Sequence, residues 1–438
     1  MAQSLSSPGV RFGPLLVPQP QIDPQKWSVV ACDQFTSQPE YWRDVASFVG
    51  EAPSTYHIIL PEVYLGGPEE ERRIASAQHK MSEYLRSGIL REVQGPIFVQ
   101  RSTSEGVRSG LVLAVDLEQY DARDDWDGLI RASEQTVLER VPPRARIRRG
   151  AALETSHVIL LMDDPSDSVL GPLKGYASAQ ASLYDFDLML GSGHLTGTLI
   201  DDAQIRNGIV AALGNLVTSR EEAATPHGGK EKPFLFAVGD GNHSLAAAKL
   251  VWEEIKTQVG LDHPARYALV ELENLYDDAV AFEPIHRVLF GVHVDLWASL
   301  ADAFGSGAKV EPVPTSFGVQ TIVQAQSGSI QRIGVVSPSA LSVLSLAQPS
   351  SPLAVGSVQD FLDSLIKDGA VERVDYIHGD DAFFDLALKE GNAGFYLPAL
   401  SKRQLFPAIQ KDGRLPRKAF SMGEAREKRF YFETRRIA

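Results

Sequence analysis

The chain has a single cysteine, Cys32, so no intrachain disulfide can form, and the composition fits a reducing compartment. Cys32 closes the apolar run Val29-Val30-Ala31, where a thiol packs rather than reacts. No apolar run reaches the roughly 18 residues that a membrane helix needs. Met1 to Asp23 holds serines, glycines and prolines, with no basic cluster leading into an apolar block, and does not read as a secretory signal. A cytoplasmic protein without a membrane partner is expected. Positive charge is in the minority: 42 Lys and Arg against 56 Asp and Glu leave a formal charge of -14. That balance repels a phosphodiester backbone over most of the surface, which argues against nucleic acid as the main partner. A small phosphorylated molecule needs only a local positive pocket.

Several standard chemistries lack their motifs. There is no His-Glu-x-x-His or paired-cysteine zinc pattern, no Gly-x-Ser-x-Gly nucleophile elbow and no Gly-x-Gly-x-x-Gly dinucleotide fingerprint. No internal repeat or low-complexity tract is present either. What is there is globular: 438 residues, 44% hydrophobic and 22% charged, enough for one large core or two ordinary ones. The pattern predicts an α+β (mixed α/β) fold, with mixed sheets and flanking helices. Two lobes, 1–225 and 226–438, are the expected division, and one continuous domain is the alternative. The non-periodic, polar stretch from Arg220 to Pro233 marks the boundary or an exposed connection.

Phe234 to Lys249 is the most informative stretch. Phe234 to Val238 is an apolar run of strand length, and Gly239, Asp240, Gly241 and Asn242 are four turn-prone residues in succession. Ala248, Val251, Trp252, Ile255 and Val259 then recur at helical spacing, predicting a helix that starts near Ser244. Strand, glycine turn and helix in that order bring backbone N–H groups and the positive end of a helix dipole to one point, which suits an anion such as phosphate. Asp240, His243 and Ser244 sit at that point. The plainer alternative is that Asn242 or Ser244 merely caps the helix and Asp240 merely makes the turn.

Other segments carry candidates of lesser weight. Asp33 and Gln34 follow a short predicted strand. Ile130 to Glu139 reads as a helix, and Pro142 to Arg149 holds four arginines that suit either an anion or neighbouring acids. Asp163-Asp164-Pro165 suits either a magnesium ion or a capped turn. Gly191 to Gly197, around His194, is glycine-rich but lacks the lysine of a P-loop. Pro284-Ile285-His286-Arg287 predicts a turn that places an imidazole beside a guanidinium. His378 follows in a similar pattern, and Lys418 lies in a basic segment with Arg414, Arg417 and Arg426.

Gly239-Asp240-Gly241-Asn242-His243-Ser244 resembles the Asp-Gly-His-His-Arg signature of the family called domain of unknown function 1015. Pro284 to Arg287, Gly193-His194-Leu195 leading to Asp201, Tyr376 to Gly379 and Leu415 to Lys418 resemble further segments of that family. So do those near Cys32-Asp33-Gln34, Glu134-Gln135-Thr136 and Asp163-Asp164-Pro165. The signature is in turn similar to that of the ParB and sulfiredoxin superfamily, whose turn contacts nucleotide phosphates and which includes free-serine kinases. The resemblance implies a ParB/sulfiredoxin-like core with an additional lobe, and ATP or ADP with Mg2+ as cofactors.

On that resemblance the chain is a nucleotide-dependent phosphotransferase acting on a small hydroxyl metabolite such as free serine. His243, Asp240 and His286 are then the catalytic candidates, with Asp240 the metal ligand. Gly239, Gly241, Asn242, Ser244, Arg287, His194 and Lys418 are the phosphate or nucleotide contacts. Ser244 stands where the family has arginine, so the missing charge falls to Arg287 or Lys418. A phosphomonoesterase and a non-catalytic nucleotide-binding regulator are the alternatives. The residues do not set the oligomeric state.

Overall fold

The structure is a computed structural model describing residues 8–123, 126–136, 141–155, 158–224, 234–326 and 329–438. The side chains of Asp33, Ser37, residues 220–224 and Asp412 lie outside that description, as does most of the expected connection, 225–233. The fold is mixed α+β, with one mixed sheet and other antiparallel sheets.

The chain divides into two units, Met1–Ala281 with Gly423–Ala438, and Phe282–Met422. The division expected at 225/226 therefore differs from the observed one. The strand Phe236–Asp240 and the helix Asn242–Val259, assigned from sequence to the second lobe, lie in the first unit. The C-terminal residues also return to it.

The large sheet of the first unit runs Tyr184–Asp187, His194–Leu199, Ile97–Thr103, Gly106–Asp116, Tyr267–Asn274, Ile159–Met162, Phe236–Asp240, Ile130–Ala132, Tyr120–Asp121. Successive side chains of a strand point to opposite faces, and the two cores follow that rule. Ile97, Val99, Val112 and Leu269 join one core, while Phe98, Leu111, Leu113 and Val270 join the other. Ile97–Thr103 and Gly106–Asp116 form a hairpin, where the sequence, alternating or apolar over Ile97 to Arg101 and Gly110 to Leu117, predicts one with shorter arms. The helix predicted over Ile130 to Glu139 is not observed at its start: Ile130–Ala132 is a strand, paired in parallel with Phe236–Val238. Its β-branched and apolar residues fill an interior sheet position, and tertiary pairing overrides the local pattern.

The helix Asn242–Val259 lies against this sheet by Leu245, Ala248 and Trp252. Its neighbouring stripe, Ala246, Ala247 and Val251, packs on Val141 and Ala145 of the helix Val141–Arg148. Small alanines on two faces let one helix sit close to both partners. Val259, predicted on the apolar face, is exposed.

The second unit has a sheet in the order Ala308–Pro312, Ala340–Leu346, Gln331–Ser337, Ala393–Tyr396, Phe282–Val292, Val371–His378, its paired neighbours all antiparallel. Phe282–Val292 is one long strand, so the turn expected at Pro284 to Arg287 does not form. Pro284 stands opposite Phe420 of the short strand Phe420–Met422, and pairing with Val371–His378 begins one residue later, at Ile285.

Candidate functional site

The strand Phe236–Asp240 ends in a β-bulge. Asp240 faces Ile159 and Val238 faces Leu160, which leaves Gly239 as the extra residue. Gly241 follows at φ +94°, ψ 23°, a conformation that glycine adopts freely and L side chains rarely do. It starts the helix Asn242–Val259 two residues earlier than the sequence pattern indicates. Neither Asn242 nor Ser244 caps that helix, and its first turn holds no acid. The Ser244 and Leu245 N–H groups donate to the Gly241 carbonyl at 2.9 and 3.0 Å. Gly241, the N-cap, has no side chain to cap the positive end of the dipole.

Ser244 and Ala247 open onto a cavity of about 110 Å³, also lined by Arg144, Arg148, Glu62 and Tyr431. Since one water needs about 10–15 Å³ on this scale, the cavity has room for several water-sized groups. The four arginines of the basic segment divide by role. Arg146 pairs with Glu70 and, at 3.3 Å, with Glu71, and Arg149 pairs with Glu254 at 2.6 Å. Arg148 pairs with Glu154 while lining the cavity with Arg144. The segment therefore answers acids at Arg146, Arg148 and Arg149 and brings Arg144 and Arg148 to the cavity.

The cation facing Asp240 is one that sequence reasoning missed. Arg429 Nη1 donates to Asp240 Oδ1 at 3.4 Å, and Nη2 lies 3.7 Å from Glu62 Oε1. The other carboxylate oxygen of Asp240, Oδ2, and the amide oxygen of Asn242 are buried without a hydrogen-bond partner among the described residues. Such acceptors are costly in an empty site and suit donors on a ligand. Cys32 adjoins this group. Burial pushes its thiol up to about 12, with Asp240 acting in the same direction and Lys428 and Arg429 opposing. It is a packed thiol, as its apolar run predicts, with Gln34 Oε1 and the Ala425 carbonyl each 3.7 Å from Sγ.

A magnesium ion held by Asp240 does not fit this arrangement, because Oδ1 faces a guanidinium. Among the described residues no group of three or more His, Cys, Asp or Glu is placed to hold a metal. Asp164, the other metal candidate, is fully buried and accepts from Ser166 and Ser168 hydroxyls at 3.0 Å and from the Val169 N–H at 2.9 Å. It organises its own turn.

His194 is not brought to the Asp240 turn. Four strands separate His194–Leu199 from Phe236–Asp240, a distance of roughly 24 Å at about 4.8 Å per neighbouring strand. Its Nδ1 lies 2.7 Å from Asp187 and its Nε2 2.6 Å from Asp185. These hydrogen bonds, Asp187 foremost, raise its pKa. The glycines beside it serve backbone geometry: Gly193 has φ +97°, and a Cβ there would meet the Ser102 carbonyl at 2.1 Å.

His286, Arg287, His378 and Lys418 all belong to the second unit. Adjacent in a strand, His286 and Arg287 emerge on opposite faces. His286 is fully buried and stacks on Tyr396 at 4.2 Å. The Leu397 N–H donates to its Nδ1 at 3.0 Å, so Nε2 carries the proton and donates to Asp380 Oδ1 at 3.3 Å. Burial lowers its pKa, Asp380 partly opposing. Both nitrogens are engaged, which removes His286 as a general base. Arg287 is fully buried and donates to the carbonyls of Ile285, Arg417 and Lys418 at 2.6, 3.1 and 3.0 Å. It holds the backbone at Lys418, which has φ +58°, and is not a phosphate clamp. His378 ends its strand exposed to solvent.

A family model described as a protein of unknown function, DUF1015, matches residues 16–365 of the 438. The chain belongs to the DUF1015 family. The DUF1015 match takes in Gly239 to Ser244 and ends before His378, Lys418 and Arg429. No curated protein matches the chain. Among solved structures, a conserved hypothetical protein from Pyrococcus furiosus is similar at 11% identity and TM-score 0.36, over 71% of this chain and 90% of its own. A free serine kinase in complex with AMP is similar at 12% identity and TM-score 0.37, over 74% of this chain and 91% of its own. C-terminally truncated SbnI from Staphylococcus aureus is similar at 9% identity and TM-score 0.34, over 71% and 82%. Among the described residues, no helix is long and apolar enough to cross a membrane.

Proposed function

We propose that this DUF1015 protein is a nucleotide-dependent phosphotransferase acting on a small hydroxyl metabolite such as free serine. One observation carries the reading: the first turn of Asn242–Val259, which a glycine rather than a capping side chain starts, meets, at Ser244, a cavity that Arg144 and Arg148 also line. Helix dipole and guanidinium charge together suit a phosphate. In the transfer, the bond from the terminal phosphorus to the bridging oxygen breaks and a bond to the acceptor hydroxyl oxygen forms. The hydroxyl proton passes to His243, the second residue of the helix. Phosphoryl transfer asks mainly for positioning and electrostatics, which a rigid strand-turn-helix corner supplies.

A non-catalytic nucleotide-binding regulator is the second reading, favoured by the engagement of Asp240 with Arg429 rather than with a metal site. The experiment is a panel of ATP, ADP and small phosphate esters, read by melting temperature and by product formation with serine as acceptor. A ligand at about 100 times its Kd stabilises by about 2.7 kcal/mol, which is readily seen. Nucleotide stabilisation with turnover, abolished in His243→Ala without loss of stability, is the expected result. Stabilisation by phosphate esters alone favours the phosphomonoesterase, binding without turnover favours the regulator, and equal loss of both properties in His243→Ala makes the histidine structural.

A further inference from the structure

Arg429 lies beyond the stretch matched by the family model, residues 16–365, yet it supplies the cation beside Asp240. Its side chain is 5% exposed, with Asp240 Oδ1 at 3.4 Å on one terminal nitrogen and Glu62 Oε1 at 3.7 Å on the other. Nε donates to the Ala31 carbonyl at 3.3 Å. The backbone is held as closely as the side chain. The Ala31 N–H donates to the Arg429 carbonyl at 3.2 Å, and Phe430 and Tyr431 pair antiparallel with Val30 and Val29. The guanidinium is thereby fixed between two carboxylates.

An ionised Asp240 next to the start of Asn242–Val259 opposes any anion that binds there, and in a partly buried corner such repulsion is weakly screened. Asp240 acts on Cys32 and Tyr431, and Glu62, Lys428, Arg429 and Arg144 are the other charged groups that act on those two side chains. Arg429 contacts the carboxylate of Asp240 at 3.4 Å. We propose that Arg429 is a positioning residue of the anion site: it cancels the charge of Asp240 and fixes its orientation, so that phosphate binding at the glycine turn requires the C-terminal segment.

The proposal rests on the anion site described above, and a double-mutant cycle separates the two. ADP is titrated into the full chain and into R429K, R429Q, D240N and R429Q/D240N by calorimetry at pH 7.5. R429K keeps ADP affinity within about threefold, and R429Q loses about tenfold or more, the scale on which an unpaired neighbouring charge acts. Adding D240N to R429Q restores most of that loss, because the uncompensated charge is gone. Should R429Q fail to fold, R429K and the neutral double variant carry the test: near-unmodified affinity in both supports the role, and a tenfold loss in the neutral pair overturns it. Losses that simply multiply in the double variant overturn the role while leaving the anion site standing. Absence of ADP binding to the unmodified chain overturns both.

Discussion

Glu154 gives a prediction in which stability and binding move in opposite directions. Its carboxylate lies between the guanidinium groups of Arg148 and Arg435, and the three side chains are 5%, 10% and 7% exposed. It also accepts the Leu269 N–H at 3.1 Å. Glu154→Gln keeps the shape and removes the charge, leaving two buried cations without their counterion. Breaking a buried pair in this way costs about 3–5 kcal/mol. At about 2–4 °C per kcal/mol for a large domain, the melting temperature falls by roughly 6–20 °C. Glu154 and Arg148 both line the cavity beside Ser244, so the variant also makes that cavity one charge more positive, and ADP affinity rises several-fold. The pH dependence has a definite sign. Burial acts to raise the Glu154 pKa, but Arg148 and Arg435 outweigh it and hold the carboxyl below its ordinary range. The stability it contributes is therefore present above the unfolded value, about 4.3, and is lost as the pH falls through the lower folded value. The gap between the two proteins should narrow only in that acid range. Calorimetric melts from pH 7.5 down to 3, with ADP titrations at pH 7.5, make the check. A variant that melts within 2 °C of the unmodified chain, or that loses ADP affinity together with stability, refutes the reasoning.

Two further outcomes follow from titratable groups outside the cavity beside Ser244. Because the Cys32 thiol is pushed up to about 12 by burial, iodoacetamide at pH 8 should leave the native chain unlabelled and label it once urea unfolds it; rapid native labelling contradicts the buried geometry. His286 has a folded pKa below its unfolded one, so it stays neutral in the fold and its stabilisation is lost as pH falls from about 6.5 toward the folded value. His286→Gln should flatten the pH dependence of stability between pH 7 and 5, and an unchanged slope assigns that dependence to other groups.

The corner at Asp240 was legible in the sequence because every interaction that makes it is local. An apolar strand run, the turn-prone residues Gly239 to Asn242 and the helical spacing of Ala248, Val251 and Trp252 act over a few residues each, and strand, turn and helix follow from them, while the bulge at Gly239 appears only in the structure. The same holds for the hairpin Ile97–Thr103 and Gly106–Asp116. At His286 and Arg287 local reasoning failed, since a proline three residues into a strand looks like a turn until its partners are known. Strand pairing then sends the two side chains to opposite faces and occupies both of them.

The sequence by itself determined where a strand, a glycine turn and a helix meet. Which cation meets Asp240, which arginines of Pro142 to Arg149 reach the cavity and which histidines stand elsewhere were decided by the tertiary structure alone. The physical reason lies in range: Arg429 and Asp240 are 189 residues apart, and no propensity or periodicity acts across such a span. Only the return of the C-terminal strand to Val29 and Val30 brings that charge home.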